Sequence, residues 1–405
     1  MRENWKYQPL GEIVEIKRGL TYSKNDEVDI SGKIVLRSNN VNLDNHQFDF
    51  TELKYLKPTF DIPADKYLQK GDLLMCMSNG SKAHLGKVAL YDGESDKYAF
   101  GGFMAALSHK DSVIGRYLFY AMITPMYKEY IKTLSDGANI NNLKVRDIEA
   151  FSIPVPPLSE QERIVALLDD QFAKIDTLKA NAASQLQDAK DLFQSALKEM
   201  LTPQEGWEHY TINDVISDLR TGLNPRVHFK LNTPDADCYY ITVRELKGFT
   251  IEVDEKTDLV NKEAIVRINQ RSHLQIGDVL FSATGTIGNT ALVKEIPQNW
   301  NIKEGIYVMT PRKEKLNSKY FIYLLSSDFF LKSVRAKAEG TGVKSIAMKN
   351  LVKFPISFPS LPEQERIAAR LDTLSDKVAR LQANYDQTIT LCNDLKQALL
   401  KSIFE

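Results

Sequence analysis

The sequence predicts an α/β protein in which two similar globular domains are joined by two long helices that form an antiparallel coiled coil. Three observations support this fold class. The chain repeats itself about 203 residues apart, it contains two runs of about 40 residues without a helix breaker, and both runs carry apolar residues at heptad spacing. A length of 405 residues also suits two to three units at ~150 residues per domain.

The repeat is clearest where each long helix is expected to begin. Residues 158–164 read Leu-Ser-Glu-Gln-Glu-Arg-Ile, and residues 361–367 read Leu-Pro-Glu-Gln-Glu-Arg-Ile. A period of 203 residues is far longer than the ~20–50 residues of a solenoid repeat, so it indicates a duplicated domain with its helix. The predicted boundaries are 1–157 and 203–360 for the two globular domains, and 158–202 and 361–405 for the two helices.

Each globular domain is expected to contain several short strands and one longer helix. Segments 239–243, 279–281 and 290–293 are rich in β-branched and aromatic residues and are bounded by turn residues. The helices are predicted from Tyr117 to Leu134 and from Tyr320 to Ala338, with Gly137 and Gly340 as their C-terminal caps.

The two long runs are expected to be helices that pack on each other. Neither run contains proline or glycine, and apolar residues recur at steps of four and three, which is typical of a coiled coil. At 1.5 Å per residue each helix is about 60 Å long, so its apolar stripe needs a partner. Antiparallel pairing would relate the two halves by a pseudo-two-fold axis. The residues predicted to make the pairing are Ile164, Leu168, Ile175, Leu178, Leu192, Ile367, Leu371, Leu374, Val378, Leu381, Leu395 and Leu399.

Composition excludes several classes of protein. No apolar run approaches the ~20 residues that span a membrane, and the N-terminus lacks the apolar core of a signal peptide, so we expect a cytoplasmic protein. Cys76, Cys238 and Cys392 are too far apart to indicate a disulfide framework or a zinc site. The net charge of −1 does not exclude nucleic acid, because binding needs only a local basic face. Residues 328–353 carry a modest excess of basic residues, which suits such a face or equally an ordinary solvated surface.

Polar loops are the predicted binding surface. They lie at 78–82 and 283–288, after strands, and at 137–144 and 340–345, after helices. Amide and hydroxyl groups beside a lysine suit phosphate contact and the reading of base edges, although the same residue types also favour ordinary turns. Motifs for phosphate loops and for metal-dependent catalysis fail in spacing or are missing, so no catalytic or metal site is predicted.

The order, spacing and duplication of these features resemble the DNA-specificity subunit of type I restriction-modification systems. The resemblance covers essentially the full chain, from variable domain to helix and again from variable domain to helix. The second copy carries Gly-Asp-Val-Leu-Phe-Ser at 277–282 and Gly-Thr-Ile-Gly at 285–288. The first copy departs from this pattern with Asn-Gly-Ser-Lys-Ala-His-Leu-Gly at 79–86.

The resemblance implies that each globular part is a target-recognition domain that reads one half of a bipartite DNA sequence. The paired helices would act as a spacer and dock two adenine-N6 methyltransferase subunits, which restriction (translocase) subunits then join. The chain itself would catalyse nothing and hold no cofactor, with S-adenosylmethionine, ATP and Mg²⁺ carried by the partner subunits. The predicted DNA-binding residues are Arg18, Lys24, Arg37, Asn39, Asn40, Ser78, Asn79, Lys82, Asn139, Asn141, Lys144, Arg220, Arg226, Arg244, Thr284, Thr286, Lys337, Thr341, Lys344, Ser345 and Lys349.

Two other functions are weighed against this one. The first is a coiled-coil adaptor whose two domains bind protein, and strongly salt-dependent binding of the chain to DNA would argue against it. The second is a self-sufficient methyltransferase. Asn224 and Pro225 match only the first two letters of the amino-methyltransferase motif, and no glycine-rich cofactor loop precedes them.

Overall fold

A computed structural model describes residues 5–136, 142–340 and 344–405, without the side chains of Asp136, Arg226 and Val227. The chain divides into two compact units. Unit 1 comprises Met1–Ala180 and Gln387–Glu405, and unit 2 comprises Asn181–Asp386. Each unit therefore contains one globular domain and a part of both long helices.

The globular domain of unit 1 is built around a four-stranded antiparallel sheet of order β2-β9-β6-β7. A second sheet has the order β3-β5-β4-β8, in which β4 and β8 are parallel, and β1 pairs with β10. The elements in chain order are β1 (Lys6–Pro9), α1 (Leu10–Ile13), β2 (Val14–Arg18), β3 (Glu27–Val28), β4 (Lys33–Leu36), β5 (Lys54–Leu56), β6 (Leu73–Cys76), β7 (Val88–Leu90), β8 (Ala99–Phe100), β9 (Met104–His109), α2 (Gly115–Ala121), α3 (Pro125–Asp136), α4 (Val145–Glu149), β10 (Ser152–Val155) and the first long helix, α5 (Leu158–Leu201).

Strand β6 is buried on both faces. Successive side chains of a strand point to opposite sides of the sheet, so its residues pack alternately into two clusters. Leu73 and Met75 pack into the cluster that contains α2, whereas Leu74 and Cys76 pack toward the second sheet. This two-sided burial explains why the strand is apolar at every position instead of alternating.

Unit 2 repeats this architecture. Its main sheet has the order β12-β20-β17-β18, its second sheet has the order β16-β13-β19 with β13 parallel to β19, and the pairs β11-β21 and β14-β15 complete it. The elements are β11 (Glu208–Thr211), α6 (Ile212–Val215), β12 (Ile216–Thr221), α7 (Pro225–His228), β13 (Cys238–Ile241), β14 (Leu246–Lys247), β15 (Thr250–Ile251), β16 (Leu259–Val260), α8 (Lys262–Ser272), β17 (Val279–Ser282), β18 (Thr290–Leu292), β19 (Trp300–Ile302), β20 (Ile306–Pro311), α9 (Ser318–Ser326), α10 (Asp328–Ala336), α11 (Met348–Leu351), β21 (Pro355–Phe358) and the second long helix, α12 (Leu361–Phe404).

The prediction of one continuous helix in the second half of each domain was wrong. In unit 1 the segment divides into α2 and α3, because Pro125 lacks the N–H that a helix interior needs. In unit 2 it divides at Ser327, whose hydroxyl accepts from the N–H of Phe330 at 3.3 Å and caps α10. The predicted cap Gly137 lies outside the described residues, and Gly340 follows α10 without capping it.

The two long helices have 44 residues each and pair antiparallel within both units. In unit 1 the Nζ atom of Lys179 donates to Asn393 at 2.7 Å, and Lys396 donates to Asp176 at 2.6 Å. In unit 2 Lys190 donates to Gln382 at 3.0 Å. Residue numbers fall along α12 as they rise along α5, which confirms the predicted antiparallel coiled coil.

The predicted pairing residues divide into three groups by their exposure to solvent. Ile164, Leu168, Ile175, Ile367 and Leu371 are buried. Leu374, Val378, Leu381 and Leu399 are half-buried. The prediction was wrong for Leu178, Leu192 and Leu395, which are 56%, 62% and 48% exposed. A fixed heptad step drifts by about 20° per heptad on a straight helix, so it leaves the buried face over this length.

Candidate nucleic-acid interface

Three loops that are distant in the sequence meet in unit 1. The side-chain amide of Asn79 donates to the hydroxyl of Ser38 at 2.8 Å. The N–H of Leu143 donates to the carbonyl of Met77 at 2.8 Å and ties the third loop to the second. We call this assembly loop surface 1, and it comprises residues 37–40 after β4, 78–82 after β6 and 142–145 at the start of α4.

Unit 2 assembles the corresponding three loops. The N–H of Ile346 donates to the carbonyl of Ala283 at 3.0 Å, and the N–H of Gly285 donates to Lys344 at 2.9 Å. The amide of Asn289 reaches the carbonyl of Val243 at 3.3 Å. This is loop surface 2, and it comprises residues 242–245 after β13, 283–289 after β17 and 344–346 before α11.

The turn Gly-Thr-Ile-Gly in loop surface 2 is organised around one hydroxyl. Ser282 donates to the carbonyl of Thr286 at 2.6 Å and accepts from the N–H groups of Gly288 and Asn289 at 3.1 and 2.8 Å. Gly288 has a φ of +111°, and a Cβ atom there would collide with the side chain of Leu331. The backbone conformation therefore favours glycine at this position, and a larger residue would also have to displace the side chain of Leu331.

Gly86 takes the place of Gly288 in unit 1, with a φ of +71° and the side chain of Ile131 against it. Its N–H donates to the carbonyl of Cys76 at 2.8 Å, as that of Gly288 donates to Ser282. The two hydrogen-bonded residues are ten positions apart in unit 1 and six positions apart in unit 2. The different sequence of the first copy at residues 79–86 therefore forms a longer loop that is closed by the same backbone hydrogen bond.

The structure brings many of the predicted DNA-binding residues onto the two loop surfaces. Asn39, Lys82, Lys144, Arg244, Thr284, Thr286 and Lys344 are exposed there, and Arg37, Ser78, Asn79 and Ser345 are half-buried. Lys24, Lys337 and Lys349 are exposed outside the three loops, on the turn after β2, at the end of α10 and in α11, and Arg18 ends β2. Asn139, Asn141, Thr341 and the side chain of Arg226 lie outside the described residues.

Two residues that were predicted to bind DNA are held in the interior, so that prediction was wrong for them. Asn40 is 1% exposed, and its amide donates to the carbonyls of Asp49 and Glu52, both at 2.9 Å. Arg220 is 9% exposed and donates to the carboxylate of Asp278 at 2.8 Å. Both side chains form hydrogen bonds with other groups of the protein, as buried polar groups generally do. Neither is therefore available to contact DNA.

Sequence reasoning missed the role of the glutamine that both helix-opening motifs share. Gln161 is completely buried and accepts from the N–H of Ile114 at 2.9 Å. Its amide donates to the carbonyls of Ser112 and Pro156 at 3.0 and 2.8 Å. It therefore fixes the start of α5 to its own globular domain.

Gln364 makes the same three contacts in unit 2, 203 residues later. It accepts from the N–H of Asn317 at 2.9 Å and donates to the carbonyls of Lys315 and Pro359 at 3.0 and 2.8 Å. The signal was present in the sequence, since the Glu-Gln-Glu-Arg-Ile repeat is identical in both copies. A glutamine next to charged residues gives no sign of burial, so its role was not recognised.

A second contact between domain and helix also recurs. Asp169 on α5 accepts from the guanidinium of Arg116 at 2.9 Å and from the hydroxyl of Tyr120. The corresponding group in unit 2 consists of Asp372, Lys319 and Tyr323. Burial, followed by the hydrogen bond to the carboxylate, raises the pKa of both tyrosines, so each hydroxyl remains a donor. Each loop surface is thus carried by a domain that is firmly attached to a long helix.

Among the described residues, no group of three or more histidine, cysteine or acidic side chains could hold a metal ion. The three cysteines are unpaired and buried. None of the helices in the described parts of the chain is long and apolar enough to cross a membrane.

Comparison with known proteins now identifies the family. The family model for the type I restriction modification DNA specificity domain matches residues 2–187 and 204–391, so the chain belongs to this family. It is a type I specificity subunit with two DNA-specificity domains, and such subunits are the non-catalytic components of their systems. The findings do not support the alternative of a protein-binding adaptor.

Relatives and solved structures agree with this assignment. The chain is 24% identical to the type I restriction enzyme EcoKI specificity subunit of Escherichia coli (strain K12), covering 99% of this chain and 89% of that protein. It is 23% identical to the StySPI specificity subunit of Salmonella potsdam, with the same coverage. A chain from structural work on the assembly of a type I R-M system superposes with a TM-score of 0.74 at 20% identity, covering 98% of this chain and 97% of that chain, which confirms the fold.

Proposed function

We propose that this chain directs two methyltransferase subunits to a bipartite DNA target, with loop surface 1 reading one half and loop surface 2 reading the other. The observation that carries the proposal is the recurrence of the same three-loop assembly in both units. Duplicated surfaces on one chain suit a target with two halves. Because the side chains on the two surfaces differ, the two half-sites would differ in sequence.

The chemistry of the loop surfaces supports contact with DNA. Amide and hydroxyl side chains such as Asn39, Asn79 and Thr284 can donate to and accept from base edges in the major groove. The exposed ammonium groups of Lys144 and Lys344 suit phosphate oxygens, which position a protein without reading sequence. Arg244 is held by Asp258 at 3.0 Å, so its charge is already partly offset.

The long helices would dock the methyltransferase subunits through leucines that face solvent. Leu192 in unit 2 and Leu395 in unit 1 occupy equivalent positions, 203 residues apart, and are 62% and 48% exposed. Leu391, one turn before Leu395, is 57% exposed and enlarges the apolar surface there. One equivalent leucine in each unit fits two copies of the same partner. S-adenosylmethionine, ATP and Mg²⁺ would be held by the methyltransferase and restriction subunits.

Binding measured over a range of salt concentrations tests the DNA interface. The double variant Lys344→Ala with Lys349→Ala should weaken binding to all sequences and lower the slope of log K against log salt by about 2, since each lost phosphate contact removes about one unit. The matched control, Lys256→Ala with Lys313→Ala, removes two exposed lysines of unit 2 outside the loops and should leave the slope unchanged. An unchanged slope in the first variant would remove this region from the interface.

Native mass spectrometry tests the docking surface. Leu192→Glu and Leu395→Glu should each reduce the number of bound methyltransferase subunits from two to one, because a carboxylate cannot be buried against an apolar partner without cost. Gln185→Glu places the same charge at an exposed polar position of α5 and should retain both subunits. Two subunits bound to either leucine variant would exclude that leucine from the docking surface.

A further inference from the structure

Unit 1 exposes a phenylalanine at the edge of loop surface 1. Phe103 is 70% exposed and lies in a turn closed by a hydrogen bond from the N–H of Met104 to the carbonyl of Gly101, at 2.8 Å. A single exposed apolar residue is common on protein surfaces. Phe103 differs from an ordinary exposed apolar residue in its position beside the polar loops and in its well-ordered backbone.

The backbone of Phe103 is fixed to the base of the second loop. Its carbonyl accepts from the N–H groups of Met77 and Ser78, at 2.9 and 3.1 Å. Ser78 and Asn79 follow directly, and the amide of Asn79 is held by Ser38. The ring is therefore presented beside polar loop residues from an ordered backbone, which lowers the entropy lost when a ligand covers it.

Unit 2 has the same turn without the aromatic ring. The N–H of Ile306 donates to Lys303 at 3.2 Å, and the carbonyl of Gly305 accepts from Ala283 at 2.8 Å, as that of Phe103 accepts from Met77. The frame is shared, but the side chain is present in only one unit. The turn itself therefore does not require an aromatic side chain, since Gly305 occupies the equivalent position in unit 2. A side chain that differs between the two units and faces solvent can distinguish one recognition surface from the other.

We propose that Phe103 is a specificity-determining residue that packs against the 5-methyl group of a thymine in the half-site read by unit 1. The inference rests on the proposed function and deepens it. A phenyl ring cannot hydrogen-bond to a base edge, and the thymine methyl is the apolar feature that the major groove offers. The polar neighbours Ser78 and Asn79 would contact adjacent base edges, so that one apolar and several polar contacts read the half-site together.

The test is a binding experiment with the full chain assembled with its methyltransferase partners. The DNA duplex carries the target defined by methylome sequencing, and each thymine is replaced in turn by deoxyuridine, which lacks only the methyl group. At one position of one half-site the wild-type complex should lose about fourfold in affinity, the amount expected for one buried methyl group. Phe103→Ala should bind the unmodified duplex about tenfold more weakly and be insensitive to deoxyuridine at that position.

Two further variants keep the outcome decisive. Phe103→Ile retains an apolar side chain and should keep part of the sensitivity to the methyl group. Phe329→Ala removes a phenylalanine that is 57% exposed in unit 2, outside the loops, and should bind like wild type. The proposal is overturned if no thymine shows the effect, or if Phe103→Ala responds to deoxyuridine as wild type does. A wild-type complex that fails to distinguish its target from unrelated DNA would instead refute the proposed function.

Discussion

Replacing Gln161 with alanine is expected to loosen the attachment of the first long helix to its globular domain. The side chain is completely buried and makes three hydrogen bonds, to the N–H of Ile114 and to the carbonyls of Ser112 and Pro156. Alanine makes none of them. One donor and two acceptors would then be left without their partner inside the protein.

The cost follows from the number of hydrogen bonds lost. At ~1 kcal/mol for each, the free energy of unfolding of unit 1 should fall by about 3 kcal/mol. For a unit of this size, 1 kcal/mol shifts the melting temperature by ~2–4 °C, so the expected loss is about 6–12 °C. Gln364→Ala should cost unit 2 a similar amount, because its three hydrogen bonds correspond one by one.

Scanning calorimetry and urea unfolding measure both quantities. Glu162→Ala is the matched control, since Glu162 is exposed on the same turn of α5 and should change stability by less than about 0.5 kcal/mol. If Gln161→Ala were no more destabilising than Glu162→Ala, the glutamine would not be the attachment point and the reasoning from its hydrogen bonds would fail.

Three other perturbations test separate parts of the account. Burial first, and the nearby charge of Lys128 second, lower the pKa of His46 to about 4. The neutral form is thus favoured on folding, and urea unfolding should show a stability present above pH 6.5 that is lost toward pH 4. Asp278→Ala removes the buried carboxylate that pairs with the guanidinium of Arg220 and should lower the free energy of unfolding of unit 2 by about 3–5 kcal/mol in the same assay. Four residues inserted between Ala182 and Ala183 add about 6 Å and one helical turn, so sequencing of methylated DNA should show the gap between half-sites longer by one or two base pairs.

Each of these predictions has its own control. His46→Phe should lose less stability between pH 6.5 and 4 than wild type, and equal losses would exclude His46 as the source. Asp218→Ala removes an exposed carboxylate 3.2 Å from Arg220 and should have little effect, so a cost equal to that of Asp278→Ala would contradict the argument from burial. A two-residue insertion rotates the apolar face by about 200° and should disrupt helix pairing. An active four-residue variant with an unaltered gap would show that the helices do not set the spacing.

The duplication, the start of both long helices and the location of the polar loops could be predicted from the sequence, because these features depend on local signals. Repeated letters, missing helix breakers and turn residues can be read without knowing the tertiary structure. The assembly of three loops in each unit was not predicted. Two of the three were identified as polar loops, whereas the loops at 37–40 and 242–245 were represented only by individual predicted residues. Contact between the loops depends on strand order in the sheet, which brings residues 78 and 142 together as an isolated bridge.

The errors arose where burial decides the role of a residue. Arg220 and Asn40 are of residue types that commonly contact DNA, yet the fold buries both side chains. Leu192 and Leu395 follow the heptad pattern but face solvent, because a straight helix departs from a strict seven-residue repeat. Gln161 was overlooked for the opposite reason, since a polar residue in a charged motif is expected at the surface.

Independent reading of two half-sites is tested most directly by exchanging one globular domain. Residues 1–157 would be replaced by the corresponding domain of another type I specificity subunit, and the genome of cells carrying each version would be sequenced for methylated adenine. If each domain reads its own half-site, one half of the methylated target changes while the other half stays the same. A change in both halves together would contradict independent reading.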